Sequence, residues 1–179
     1  MDWIETAHSF AASAHRDQER KFTGRPYLEH LEETAQIFWQ VTDGESESDA
    51  YIAAVLHDTV EDTNVTIEEV KRVFGDKVAS LVDELTIDEV QKQKEGKKVY
   101  LARRLNEMTD TALSIKLSDR LSNVIGLENE KIPTNFVKWY IKETLYILEH
   151  LDRHLNEVHE ELIDRLNKMI LYLKIDRKI

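Results

Sequence analysis

The sequence predicts an all-α fold built as one helical bundle, and three observations carry that prediction. Only two Pro and five Gly occur in 179 residues, so long stretches run without a helix breaker. Apolar residues recur at spacings of three and four, the period of a helix with one buried face. No segment shows the strict alternation of a half-buried strand. The length suits one domain with a real core and is short for two of ordinary size, so residues 1–179 are read as a single domain.

The elements follow in order. Ile4, Ala7, Phe10, Ala11 and Ala14 fall on one face, predicting a first helix from Asp2 to about Glu19. Arg20-Lys21-Phe22-Thr23-Gly24-Arg25-Pro26 is a basic turn that interrupts the helix, with Pro26 placed to start the next one. That second helix, about Tyr27 to Val41, buries Leu28, Leu31, Ala35 and Phe38 and carries His30 in its first turn. A polar connection over 43–48 leads to an Ala-rich apolar helix. Thr66-Ile67-Glu68-Glu69 has capping-box spacing, so a short helix should run from Ile67 to about Phe74 and end at Gly75. A further helix passes through Ala79, Leu81, Val82 and Leu85. The charged stretch from Asp88 to Lys98, with Gly96 inside it, is expected as a loop or frayed helix. Thr109 or Asp110 can cap a helix whose Leu113, Leu117 and Leu121 face the core. On a second face of that helix lie Lys116, Asp119 and Asn123. Two closing helices are expected over about Asn135 to Leu151 and Leu155 to Leu173, with His150, His154 and His159 read as solvated surface.

Composition narrows the function. The chain carries 35 acidic and 24 basic residues, a net charge of −11, which repels polyanions and argues against nucleic-acid binding. A small anionic substrate then needs a local basic cluster, and Arg20, Lys21 and Arg25 or Lys116 and Arg120 can form one. Without cysteine there is no disulfide, thiolate catalysis or Cys-ligated zinc, which fits a reducing compartment. No apolar run reaches the roughly 20 residues that span a bilayer, and the N-terminus does not read as a signal peptide. A cytoplasmic protein with no membrane partner is the expectation.

The chemistry centres on residues 50–63, where an apolar helix delivers His57, Asp58, Glu61 and Asp62 within six positions. If the helix continues to Asp62, the roughly 3.6-residue period stacks His57 over Glu61 and Asp58 over Asp62. If β-branched Thr59 and Val60 end it, the acidic pair falls on the first loop residues. Any metal must be held by imidazole and carboxylate, with three or more ligands converging from different elements. His57 and Asp58 supply two. His8, His15, His30, His150, His154 and His159 all stay open as further ligands on composition alone.

Four ordered blocks then carry a resemblance: Ala14-His15-x-x-Gln18-x-Arg20-Lys21, Gly24-x-Pro26-Tyr27-x-x-His30, Leu56-His57-Asp58-Thr59-Val60-Glu61-Asp62-Thr63, and Lys116-Leu117-Ser118-Asp119-Arg120-Leu121-x-Asn123. Together they resemble the hydrolase domain of RelA/SpoT homologues, enzymes of the HD superfamily. The similarity runs from about His8 to Leu127, with a weaker echo at Tyr140-x-x-Glu143-Thr144. With no synthetase domain following, the chain looks like the stand-alone small alarmone hydrolases, including those of the metazoan SpoT-homologue type.

The resemblance implies an HD-domain helical bundle with His30, His57, Asp58 and Asp119 as ligands to one Mn²⁺. It implies Glu61 and Asp62 as the catalytic pair that positions water and handles the proton. Because each carboxylate raises its neighbour's pKa, either one can stay protonated as a general acid. It also implies Arg20, Lys21, Asn123 and Tyr140 as substrate contacts, with Lys116 and Arg120 serving either structure or phosphate. The chain departs from the family pattern at Leu85 to Lys92 and at Gly126, which bears on base or sugar preference more than on the metal. The expected activity is Mn²⁺-dependent removal of the 3′-diphosphate of guanosine tetra- or pentaphosphate, giving GDP or GTP and pyrophosphate. The competing readings are an HD phosphohydrolase for another nucleotide, such as NADPH attacked at its 2′-phosphate, and a nucleotide-sensing module without turnover.

Overall fold

A computed structural model describes residues 2–44 and 48–179; of the polar connection expected over 43–48, residues 45–47 lie outside the described residues. The described chain is all-α, and its extended pairing amounts to one isolated bridge between Glu19 and Pro26. It forms two compact units that divide after Thr86.

The first unit holds α1 (Trp3–Ala14), α2 (Leu28–Val41), α3 (Ser48–Leu56), α4 (Thr59–Asp62), α5 (Ile67–Phe74) and α6 (Asp76–Leu85). Helix α3 is its centre, packed by α1, α2 and α6. Ile52, Ala53, Ala54, Val55 and Leu56 are all buried, so the helix is covered on every side rather than along one stripe. Asp2 caps α1 by accepting from the Ile4 and Glu5 amides. Helix α1 ends at Ala14, five residues short of the expected Glu19. The segment after it folds back instead: the Tyr27 N–H donates to the Gln18 carbonyl at 2.9 Å and the Arg20 N–H to the Arg25 carbonyl at 2.8 Å. Gly24, at φ +70, supplies the left-handed turn that closes this loop. Pro26 is therefore spent on the bridge to Glu19, and α2 starts at Leu28. The capping box at Thr66 and the stop at Gly75 fall where the sequence places them.

The second unit holds α7 (Glu89–Glu95), α8 (Lys97–Glu107), α9 (Asp110–Gly126), α10 (Thr134–Glu149) and α11 (Glu157–Asp176). Helix α9 packs on α11 and α10, and α8 on α10 and α7. The expectation of a loop or frayed helix over Asp88 to Lys98 is corrected. Asp88 caps α7 through the Gln91 amide, and Arg103 on α8 pairs with Glu95 at 2.7 Å and Glu107 at 2.8 Å. Charge pairing of this kind needs no apolar stripe, which is why periodicity misses it. His159 is also corrected: it is buried, takes part in the Asn156 capping box and meets the Asp110 carbonyl through Nε2 at 2.9 Å. It joins the starts of α11 and α9.

Candidate active site

In the first unit the site grows from the end of α3. The His57 ring lies with Nδ1 2.8 Å from the Ala54 carbonyl. A carbonyl only accepts, so Nδ1 carries the ring proton and Nε2 is left with its lone pair. Helix α3 stops at Leu56, His57 and Asp58 form a turn, and Asp58 (φ −103, ψ 0) opens the short α4. The continuous helix to Asp62 is thus interrupted, yet one turn survives, with the Asp62 N–H donating to the Asp58 carbonyl at 2.9 Å. Glu61 and Asp62 sit on α4 rather than on a loop.

His30 enters from the first turn of α2. Both imidazoles are buried, with ring centroids 5.3 Å apart and planes 77° to each other. They turn Nε2 toward a single carboxylate oxygen: Asp58 Oδ2 lies 3.1 Å from His57 Nε2 and 3.7 Å from His30 Nε2. Tyr27 donates its hydroxyl to the same oxygen at 2.7 Å. Two imidazole nitrogens and a carboxylate aimed at one point are the donor set of a divalent cation site, and His57 and Asp58 each have a partner that fixes their orientation, as metal ligands commonly do. The residues present fit the metal.

Around this core lie groups that the sequence quotes without assigning. Gln18 donates from Nε2 to Asp62 Oδ2 at 2.9 Å, and its Oε1 meets His15 Nδ1 at 2.6 Å. His15 is buried and stacks on Tyr27, with centroids 5.3 Å apart and planes 20° apart. The signal that could have found both residues was their place in the first block, immediately before the basic turn. In that turn Lys21 lies over the Phe22 ring at 5.2 Å. Arg25 leaves the proposed basic cluster, because its guanidinium pairs with Glu29 and Glu33 of α2.

In the second unit the polar face of α9 is organised around Asp119, which is buried. Lys116 Nζ lies 3.0 Å from Asp119 Oδ2, and Asn123 donates to Asp119 Oδ1 at 2.6 Å. Both candidate substrate contacts therefore hold the carboxylate, one turn before and one turn after it. Arg120 takes a structural part, donating to buried Glu143 at 3.1 Å and covering the Tyr140 ring at 4.8 Å. Lys97 joins it on Glu143 at 3.2 Å. Burial pushes the Tyr140 phenol up to about 12, so its hydroxyl stays a neutral donor at physiological pH.

These features define a metal-dependent hydrolase on an all-α scaffold. The chain belongs to the HD domain family, which matches residues 7–169. It is similar to the guanosine-3′,5′-bis(diphosphate) 3′-pyrophosphohydrolase MESH1 of Mus musculus, at 32% identity over 164 residues that cover 91% of this chain and 90% of that protein. It is also similar to the guanosine-3′,5′-bis(diphosphate) 3′-pyrophosphohydrolase of Aquifex aeolicus, at 38% identity over 123 residues; these cover 68% of this chain and 17% of that longer protein. Among solved structures, a metazoan ortholog of SpoT that hydrolyses ppGpp superposes with a TM-score of 0.79 at 26% identity, covering 94% of this chain and 96% of that one.

Proposed function

We propose that the chain, as one HD-type domain over 1–179, is a Mn²⁺-dependent (p)ppGpp 3′-pyrophosphohydrolase of the cytoplasm. The observation that carries this reading is the convergence of His30 and His57 Nε2 on the Asp58 carboxylate, one helical turn before Glu61 and Asp62. The likeness to MESH1 along nearly the whole of both chains supports the substrate. His30, His57 and Asp58 would hold the ion, and Asp119 would complete the set. Supporting Asp119 is its burial and the grip of Lys116 and Asn123 on its two oxygens, which orients the carboxylate. Two anionic and two imidazole ligands suit Mn²⁺. When bound, the ion supplies Lewis acidity and offsets phosphate charge.

The protein's own groups do the rest. Arg20 and Lys21 offset the charge of the incoming diphosphate. Glu61 and Asp62 orient a water molecule and take its proton as its oxygen attacks the 3′-linked phosphorus. The bond from that phosphorus to the ribose 3′ oxygen breaks, a proton is delivered to the departing oxygen, and GDP or GTP and pyrophosphate leave. Tyr140, Asn123 and Lys116 are the contacts proposed for the nucleotide. The test is direct: purified protein with Mn²⁺ is incubated with ppGpp, pppGpp and NADPH, and products are separated by chromatography. GDP and pyrophosphate from ppGpp are expected; turnover of NADPH alone would replace the substrate, and binding without turnover would make the chain a sensor.

A further inference from the structure

We infer that His15 and Gln18 are positioning residues for Asp62, setting the direction of its carboxylate through one fixed amide; this rests on the proton-handling role proposed for Asp62. A glutamine amide has two orientations that differ by exchange of O and N. Here both ends are committed. The Asp62 carboxylate, when ionised, only accepts, so it takes the Gln18 NH₂ at 2.9 Å. Gln18 Oε1 must then accept, and it faces His15 Nδ1 at 2.6 Å, so Nδ1 carries the imidazole proton. One orientation of the amide and one tautomer of the ring satisfy the chain of contacts.

The cost of this arrangement shows that it is not incidental. With Nδ1 protonated, His15 Nε2 is a buried acceptor with no hydrogen-bond partner among the described residues, in a side chain only 3% exposed. An orphaned buried acceptor of that kind is destabilising, and an apolar ring at position 15 would avoid it. What a hydrocarbon ring cannot supply is the Nδ1–H that locks Gln18. The same imidazole stacks on Tyr27, whose hydroxyl holds Asp58. One buried ring thus braces the proton-handling acid on one side and a proposed metal ligand on the other.

The backbone of Gln18 adds a second link. Its carbonyl accepts from the Tyr27 N–H at 2.9 Å and its own N–H donates to the His15 carbonyl at 2.9 Å, so Gln18 is the root of the loop that carries Arg20 and Lys21. The residue that aims Asp62 is therefore also the fixed base of the turn assigned to the substrate's phosphates. Asp62 itself is exposed, so its carboxylate is held from the protein side by the Gln18 amide.

Four variants of the full chain test this: Gln18→Ala, His15→Phe, their combination, and Asp62→Asn. His15→Phe keeps an aromatic ring against Tyr27 and removes the Nδ1–H together with the unpartnered Nε2. Misdirecting a catalytic group by an ångström costs up to about 100-fold, so kcat for ppGpp should fall about 10- to 100-fold in Gln18→Ala, with KM and Mn²⁺ affinity unchanged. The double variant should be no worse than Gln18→Ala, because both changes release the same carboxylate. A readout free of turnover is the Gln18 side-chain ¹⁵NH₂ resonance, which should move in both His15→Phe and Asp62→Asn. Additive losses, a rise in KM alone, or a Gln18 resonance indifferent to both substitutions would overturn the inference. If Asp62→Asn is impaired and Gln18→Ala is not, the positioning role fails while the catalytic reading stands. If Asp62→Asn turns over normally, the catalytic role of Asp62 fails and takes the positioning role with it.

Discussion

Replacing Tyr27 by Phe removes one hydroxyl and leaves the ring stacked on His15, so it isolates the hydrogen bond to Asp58. That bond is 2.7 Å long and ends on Oδ2, the oxygen facing both imidazoles, in a side chain only 11% exposed. A hydrogen bond to a charged acceptor contributes about 1.5–3 kcal/mol. Without it the carboxylate loses its anchor, and changes of this type typically weaken metal binding by about 10- to 100-fold. The Mn²⁺ dissociation constant, read from the electron paramagnetic resonance of free Mn²⁺ during titration, should rise by that factor. The melting temperature of the metal-free protein should fall only by the share of that hydrogen bond, since the packed ring is retained. Unchanged Mn²⁺ affinity would refute the reasoning, because it would place Asp58 Oδ2 outside the coordination shell.

Further outcomes follow from the same geometry. His57→Ala and Asp119→Asn should each abolish metal retention and activity together, checked by metal analysis; full occupancy in either variant removes that residue from the shell. Arg20→Ala with Lys21→Ala should chiefly raise KM, as expected for groups that meet charge already present in the bound substrate. Glu61→Gln with Asp62→Asn should leave Mn²⁺ and nucleotide bound while turnover falls by about two to four orders of magnitude; loss of the metal would make one of them a ligand. Thr66→Ala should cost about 1 kcal/mol of stability through loss of the α5 cap. Hydrogen bonds from Thr66 hold the Glu69 carboxyl below the usual glutamate range. Its contribution is therefore complete above that range and is lost as pH falls from it through the lowered folded-state value, a dependence that Glu69→Gln should remove from the acid limb of a stability profile.

The fold class and most helix positions were legible because they rest on local signals. The capping box at Thr66, the stop at Gly75 and the Thr109 start of α9 are chemistry of a few adjacent residues. What was missed depends on partners distant in sequence. Helix α7 is held by Arg103, eight residues beyond Glu95, and His159 is buried through a contact with Asp110. Neither open reading placed a break after Leu56, where the His57 ring meets the Ala54 carbonyl before the helix resumes as α4. In the site, the His57–Asp58 pair and the acidic pair could be read from spacing, whereas His30 was one of six available histidines until its block was matched. Gln18 and Tyr27 were quoted within those blocks but given no role. Neither is a conventional catalytic type, and only their hydrogen bonds to Asp62 and Asp58 show what they hold.

The central claim is attack by water on the 3′-linked phosphorus, and hydrolysis of ppGpp in H₂¹⁸O tests it most directly. With Mn²⁺ present, mass spectrometry should find one ¹⁸O atom in the released pyrophosphate and none in GDP. Equal amounts of the two products should form, and a chelator should stop the reaction. Label in the nucleotide, or orthophosphate in place of pyrophosphate, would contradict the account.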